Sequence, residues 1–203
     1  MRGALFYLIL IFTSAANLAS AAAPAPAQTA IVKQIENYLN SFENFSADFE
    51  QNVAGNEVVS GRLKIAKPGK FRWEYDDGKL LIISTGDTII YVDNELDNVH
   101  YLSADDTIAG MLSRDKISFS GGDYDIENLV ASGGEVCLLI KNTKGEEAGK
   151  VNLCFAVKPI NLKTIEVIDA NDNLVQLNLE NITYPEKFDS ELFNYYENHN
   201  RSR

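Results

Sequence analysis

From Phe45 onward the chain keeps a side-chain period of two through most of its length, and that alternation confines it to a largely β architecture. Phe45, Ala47, Phe49 and Gln51 alternate with Ser46, Asp48 and Glu50, and Val59, Gly61, Leu63 and Ile65 alternate with Ser60, Arg62 and Lys64. In KFRWEY, Phe71, Trp73 and Tyr75 take one face while Arg72 and Glu74 take the other. One apolar and one polar face is the mark of antiparallel strands with a single face toward a core. Similar short runs follow at 80–84, 88–92, 99–102, 124–130, 135–141, 150–155, 162–168 and 174–182. Turn residues separate them, including Asp77-Gly78, Gly86-Asp87, Gly133-Gly134 and Asp172-Asn173. The series predicts a mainly β fold with a few helices: one large antiparallel sheet, strongly curled or barrel-like.

Two departures from period two predict helices. Ile31, Val32, Ile35, Tyr38, Leu39 and Phe42 fall at helical spacing ahead of the first strand. Inside the β region, Ile108, Met111 and Leu112 lie at i, i+3 and i+4 behind Ser103, Asp105 and Asp106 as possible caps. Before all of this comes Arg2, an apolar run over 4–12 and an Ala19-Ser20-Ala21 cleavage pattern. The run is too short to cross about 30 Å of hydrocarbon, so residues 1–21 read as a secretory signal peptide. The expected organisation is then a flexible leader over 22–28, a single domain over 29–193 and a loose polar tail over 194–203. The formal charge of −11 works against standing contact with nucleic acid or anionic lipid headgroups.

A search for catalytic tools returns little. His199 lies in the tail and His100 on an alternating strand. Nucleophile elbows, phosphate loops and metal-binding H-E-x-x-H or C-x-x-C pairs are missing, so no catalytic residue, metal or cofactor is expected. DANDNLVQLNLE offers ligand types at Asp169, Asn171, Asn173 and Glu180, but Leu174 stands where a calcium loop bends at Gly, and a hairpin explains the run better. Cys137 and Cys154 form an even pair in a chain expected to be exported. A hairpin folded about Gly145-Glu146 sets them opposite one another as a disulfide; a different register leaves two buried thiols.

The apolar inner surface remains. Phe45, Phe49, Leu63, Ile65, Phe71, Trp73, Tyr75, Leu81, Ile83 and Tyr91 all fall on expected inward positions. A curled sheet can fill its concave side with such residues or keep a cavity there for an apolar ligand.

FSADFEQ, GRLKIAKPGKFRWEY and STGDTIIYVDNELDNVHYL together resemble the outer-membrane lipoprotein carrier family, over a span from about Phe45 to Tyr184. TIAGMLSR falls where that family places its central lid helices. The resemblance implies an unclosed antiparallel β-barrel with an N-terminal helix and a short lid helix over its concave face. It implies a periplasmic carrier that is not an enzyme and takes acylated lipoproteins from an inner-membrane ABC-type transporter. Delivery is then to an outer-membrane receptor or the outer membrane itself, by a monomer. The implied acyl cavity comprises Phe49, Leu63, Ile65, Phe71, Trp73, Leu81, Ile83, Tyr91, Met111 and Leu112. Lys67, the basic residue before Pro68, is implied to close the lid, through carbonyls at the C-terminal end of a lid helix. A periplasmic hydrolase using surface carboxylates, and a lipoprotein-sensing or adaptor domain of the same fold, are the alternatives.

Overall fold

A computed structural model describes residues 26–53, 57–103, 110–120, 122, 124–143, 149–168 and 174–195. The expected signal peptide, most of the leader, Asp105, Asp106, Ile108, the Gly145-Glu146 turn, residues 169–173 and His199 lie outside them. Helix α1 (Pro26–Leu39) leads into β1 (Asn44–Val53), β2 (Glu57–Ala66), β3 (Lys70–Tyr75), β4 (Leu80–Thr85), β5 (Thr88–Asp93) and β6 (Asn98–Ser103). A strap over 110–120 follows, then β7 (Tyr124–Ser132), β8 (Glu135–Asn142), β9 (Lys150–Val157), β10 (Ile160–Ile168) and β11 (Leu174–Thr183).

Eleven strands make one antiparallel sheet in the order β6-β5-β4-β3-β2-β1-β11-β10-β9-β8-β7. Each half is a meander of sequence neighbours, and the β1–β11 pair joins the halves. β6 and β7 form the two outer edges, so the barrel is not closed. The curl is nonetheless tight: Leu63, Ile65, Phe71 and Trp73 of β2 and β3 share a cavity with Val151, Ile165 and Val167 of β9 and β10. Gly61 allows part of this close packing. A Cβ there would sit 2.4 Å from Cζ of Phe49 and 2.3 Å from the Glu74 carbonyl oxygen, so the ring can lie over β2 only because the side chain is missing.

The main core lies between the concave face and two covering elements, α1 and the strap. α1 contributes Ile35 and Leu39, with Phe42 just beyond it, and the strap contributes Met111, Leu112, Ile117 and Phe119. The second helix expected from Ile108, Met111 and Leu112 is, among the described residues, a single 3₁₀ turn over Met111–Ser113. Its Arg114 neighbour is extended, so the chain turns once over the sheet and then runs along α1.

Two other expectations change. Leu81 and Ile83 belong to a separate small cluster with Ile90, Val92, Val99 and Tyr195, on the opposite side of the sheet. Trp73 pairs with Ile82 and Phe71 with Ser84, and directly opposed residues share a face, so the concave positions of β4 are Ile82 and Ser84. Leu80-Leu81-Ile82-Ile83 is apolar in both phases because both faces of β4 are covered; alternation therefore could not choose between them. The outer cover is the C-terminal segment: a 3₁₀ turn at Ser190–Phe193 and the buried Tyr195, at the start of the stretch expected to be loose.

Candidate acyl-chain site

The concave face presents a nearly filled apolar cavity. It holds about 20 Å³ of open space, little more than one water occupies, and its lining is Leu63, Ile65, Phe71, Trp73, Met111, Leu112, Val151, Ile165 and Val167. Six of the ten residues expected there are present. Phe49 stands beside the cavity, its ring 5.8 Å from that of Trp73 and 5.1 Å from that of Tyr75. Tyr91 is on the same face, opposite Ile82, but half-buried and nearer the β6 edge, with His100 beside it. Val151, Ile165 and Val167 complete the lining from across the barrel; they alternate within β9 and β10, but nothing in local pattern shows that the sheet curls far enough to bring them here.

Met111 is fully buried and Leu112 is 8% exposed. They plug the cavity from a strap that polar contacts hold in place. The Gly69 N–H donates to the Ser113 carbonyl at 2.6 Å, tying the strap to the β2–β3 turn. Gly69 adopts φ +78°, a left-handed conformation that glycine takes without strain. At the other end Asn40 uses both halves of its amide on Ile117: Nδ2 donates to the carbonyl and Oδ1 accepts from the N–H, each at 2.8 Å. Glu36 accepts from the Phe119 N–H at 2.8 Å and from the Ser118 hydroxyl at 3.3 Å, and Lys33 reaches its other oxygen at 3.2 Å. Glu36 is buried although charged, because it satisfies strap groups that would otherwise be unpaired.

Helix α1 is itself anchored. The Tyr38 hydroxyl accepts from the Leu162 N–H, donates to Asn161 and lies 2.9 Å from the Tyr184 hydroxyl, and burial pushes its pKa upward. Lys67 reaches α1 rather than the strap: Nζ donates to the Leu39 carbonyl at 2.5 Å and stands 4.8 Å over the Phe42 ring. This corrects the expected partner. The last carbonyls of α1 carry partial negative charge and point at the β2–β3 turn, so the ammonium finds its acceptor there. Burial pushes Lys67 down to about 8, against the opposing pull of Asp115.

Cys137 and Cys154 are directly opposed on β8 and β9 and are disulfide-bonded. They alternate with Val136, Leu138, Leu153 and Phe155, which face the core, so the bridge lies on the outer face. β10 and β11 pair antiparallel up to Ile168↔Leu174, and the DANDN run between them lies outside the described residues. His100 is exposed, with Nε2 2.9 Å from the Asn98 amide, in a setting without a nucleophile or carboxylate partner among the described residues.

The family model described as outer membrane lipoprotein carrier protein LolA matches residues 40–196, which takes in the sheet, the strap and the C-terminal cover. The chain belongs to this family. A LolA-family relative, the outer-membrane lipoprotein carrier protein of Cupriavidus taiwanensis, is 26% identical over 83% of this chain and 84% of its own. The carrier protein of Chromobacterium violaceum reaches 42% identity over 45% of this chain and 46% of its own. An uncharacterised Rickettsia prowazekii protein is 27% identical over 81% and 76% of the two chains. LolA proteins are carriers rather than enzymes, and membership supports a general lipoprotein-carrying role for this chain.

Proposed function

We propose that the chain is a periplasmic carrier that takes up the acyl chains of lipoproteins released from the inner membrane and delivers them to the outer membrane. The observation that carries this reading is the plugged cavity. Its walls are apolar, and two of its fillers, Met111 and Leu112, sit on a strap outside the sheet. An acyl chain cannot enter about 20 Å³, so it must displace them. Exchange of lid side chains for lipid keeps apolar contact in both states, which holds closed and loaded forms near balance. Uptake and release both need that balance.

The driving force is large. Burying hydrocarbon gains about 0.8 kcal/mol per CH₂, so a long chain exposed to water is penalised by roughly 10 kcal/mol. Residues 1–21 act as the export signal and 29–193 as the carrier domain in this reading. The donor is an inner-membrane ABC-type transporter, and the acceptor is an outer-membrane receptor or the membrane itself. Lys67 contributes by holding α1, against which the strap rests.

Native mass spectrometry of the protein recovered from its periplasm tests the proposal. Adducts matching acylated lipoproteins are expected, together with soluble lipoprotein when the carrier is added to lipoprotein-bearing inner-membrane vesicles and ATP. Protein without acyl mass that leaves the vesicles' lipoproteins in place would overturn it.

A further inference from the structure

One residue of the cavity wall carries a polar group without a partner among the described residues. Trp73, the chain's one tryptophan, is 8% exposed, and its Nε1–H meets no hydrogen-bond acceptor among the described residues. A buried donor left unpaired costs about 1–3 kcal/mol, and a phenylalanine would fill a purely greasy wall without that cost. The groups around it sharpen the point. Along the concave face of β3, Phe71 is 2% exposed, Trp73 follows, and Tyr75 is half-buried with its hydroxyl donating to Gln51 Oε1 at 2.6 Å. The concave face therefore grades from apolar at Phe71, through the single N–H of Trp73, to a polar pair at Tyr75 and Gln51 just outside the cavity lining.

An acyl chain has the same grading. It is hydrocarbon up to one carbonyl, and beyond the carbonyl lies the polar head it is attached to. We infer that Trp73 Nε1–H is the recognition group for that carbonyl, with the hydrocarbon running toward Phe71 and Ile65 and the head leaving past Tyr75 and Gln51. The inference rests on the carrier reading above and adds to it a direction of insertion and a chemical preference. The site selects acyl groups over alkyl chains of equal length, because an alkane offers the indole N–H no acceptor and an ether offers only a weaker one, away from the position of the carbonyl oxygen.

Two lipids that differ in that carbonyl test it: 1-monopalmitoylglycerol and 1-O-hexadecylglycerol, both below their micelle concentrations. The expected result is a wild-type preference for the ester of roughly three- to tenfold, the value of one ordinary hydrogen bond. Trp73→Phe should bind both lipids with the weaker affinity and show no preference. Infrared spectra give a second reading that needs no variant: the ester carbonyl stretch of the lipid bound to wild type should be shifted below its frequency in a hydrocarbon solvent, where it accepts no hydrogen bond. Equal wild-type affinities, an unshifted carbonyl, or a preference that survives in Trp73→Phe would overturn the inference and leave the carrier reading standing. Failure to bind either lipid would overturn both.

Discussion

The two meanders share one sheet but are built differently. In β7–β11 the inward residues Val136, Leu138, Ile140, Val151, Leu153 and Phe155 are all 0–1% exposed, and a disulfide staples β8 to β9 from outside. In β1–β6 the inward face carries the aromatic row, the unpaired indole N–H and the turn that ties down the strap, and a second small cluster backs it from outside. One half is the more fixed wall; the other ties down the lid, which plugs a cavity lined by both. A carrier needs both, because a lid can move without unfolding the protein only if what it presses against stays put.

The largest test of this contrast compares two truncations of buried apolar side chains. Phe155→Ala removes a fully buried ring from the fixed wall and should cost about 3–5 kcal/mol in urea unfolding, with a matching fall in Tm. Leu112→Ala also removes a buried side chain, but the strap can settle into the space, so the cost should fall below about 2 kcal/mol. It should also raise affinity for monopalmitoylglycerol, since less lid contact has to be displaced. Equal costs for the two variants would make the strap part of the fixed core.

Next in size is the staple. Cys137 and Cys154 are 17 residues apart, and a loop of about that length is worth roughly 3 kcal/mol in the chain-entropy view. Cys137→Ser with Cys154→Ser should lower the urea midpoint accordingly and leave lipid affinity unchanged, because the bridge faces away from the cavity. A large change in lipid affinity would mean that the two halves are mechanically coupled rather than divided in labour.

The difference between the halves also explains what could be read from sequence. Strand positions were legible almost throughout, since period two is a local signal and most strands bury one face. It failed at β4, where Leu81 and Ile83 are as apolar as Ile82 and the outer cover comes from residues 190–195, over a hundred positions away. The cysteine register was legible because a hairpin is local. Val151, Ile165 and Val167 were not placed in the cavity, because only the curl of the whole sheet carries them across to Phe71 and Trp73. The roles of Glu36 and Asn40 are not legible for a related reason: their partners Phe119 and Ile117 lie about eighty residues away, on a segment with little local pattern.

The smallest effect belongs to Lys67, at the junction of the lid-bearing half with α1. Burial holds its folded-state pKa near 8, whereas the free side chain titrates at 10.5. Below pH 8 the amine is charged in both folded and unfolded chains, and the cost of partly burying that charge is present in full. Between pH 8 and 10.5 the folded protein gives up the proton while the unfolded chain still holds it, so stability rises with pH in that window. The neutral amine keeps two N–H groups, enough to go on donating to Leu39. Solvent reaches Lys67, so the rise should be below about 1 kcal/mol. Burial pushes Tyr75 up to about 12 and Tyr38 also upward, and these groups make stability fall with pH only above their ordinary value of 10. Burial also pushes Lys64 down, which adds a rise of the same sign, so in urea unfolding at pH 7.5 and 9.5 the share of Lys67 is the difference between wild type and a Lys67 variant. Lys67→Arg keeps a charge at every pH in this range, so the rise attributed to Lys67 should vanish in the variant. An identical slope in wild type and Lys67→Arg would show that the Leu39 contact is made by an amine as solvated as any on the surface, and the junction would then contribute nothing to the difference between the halves.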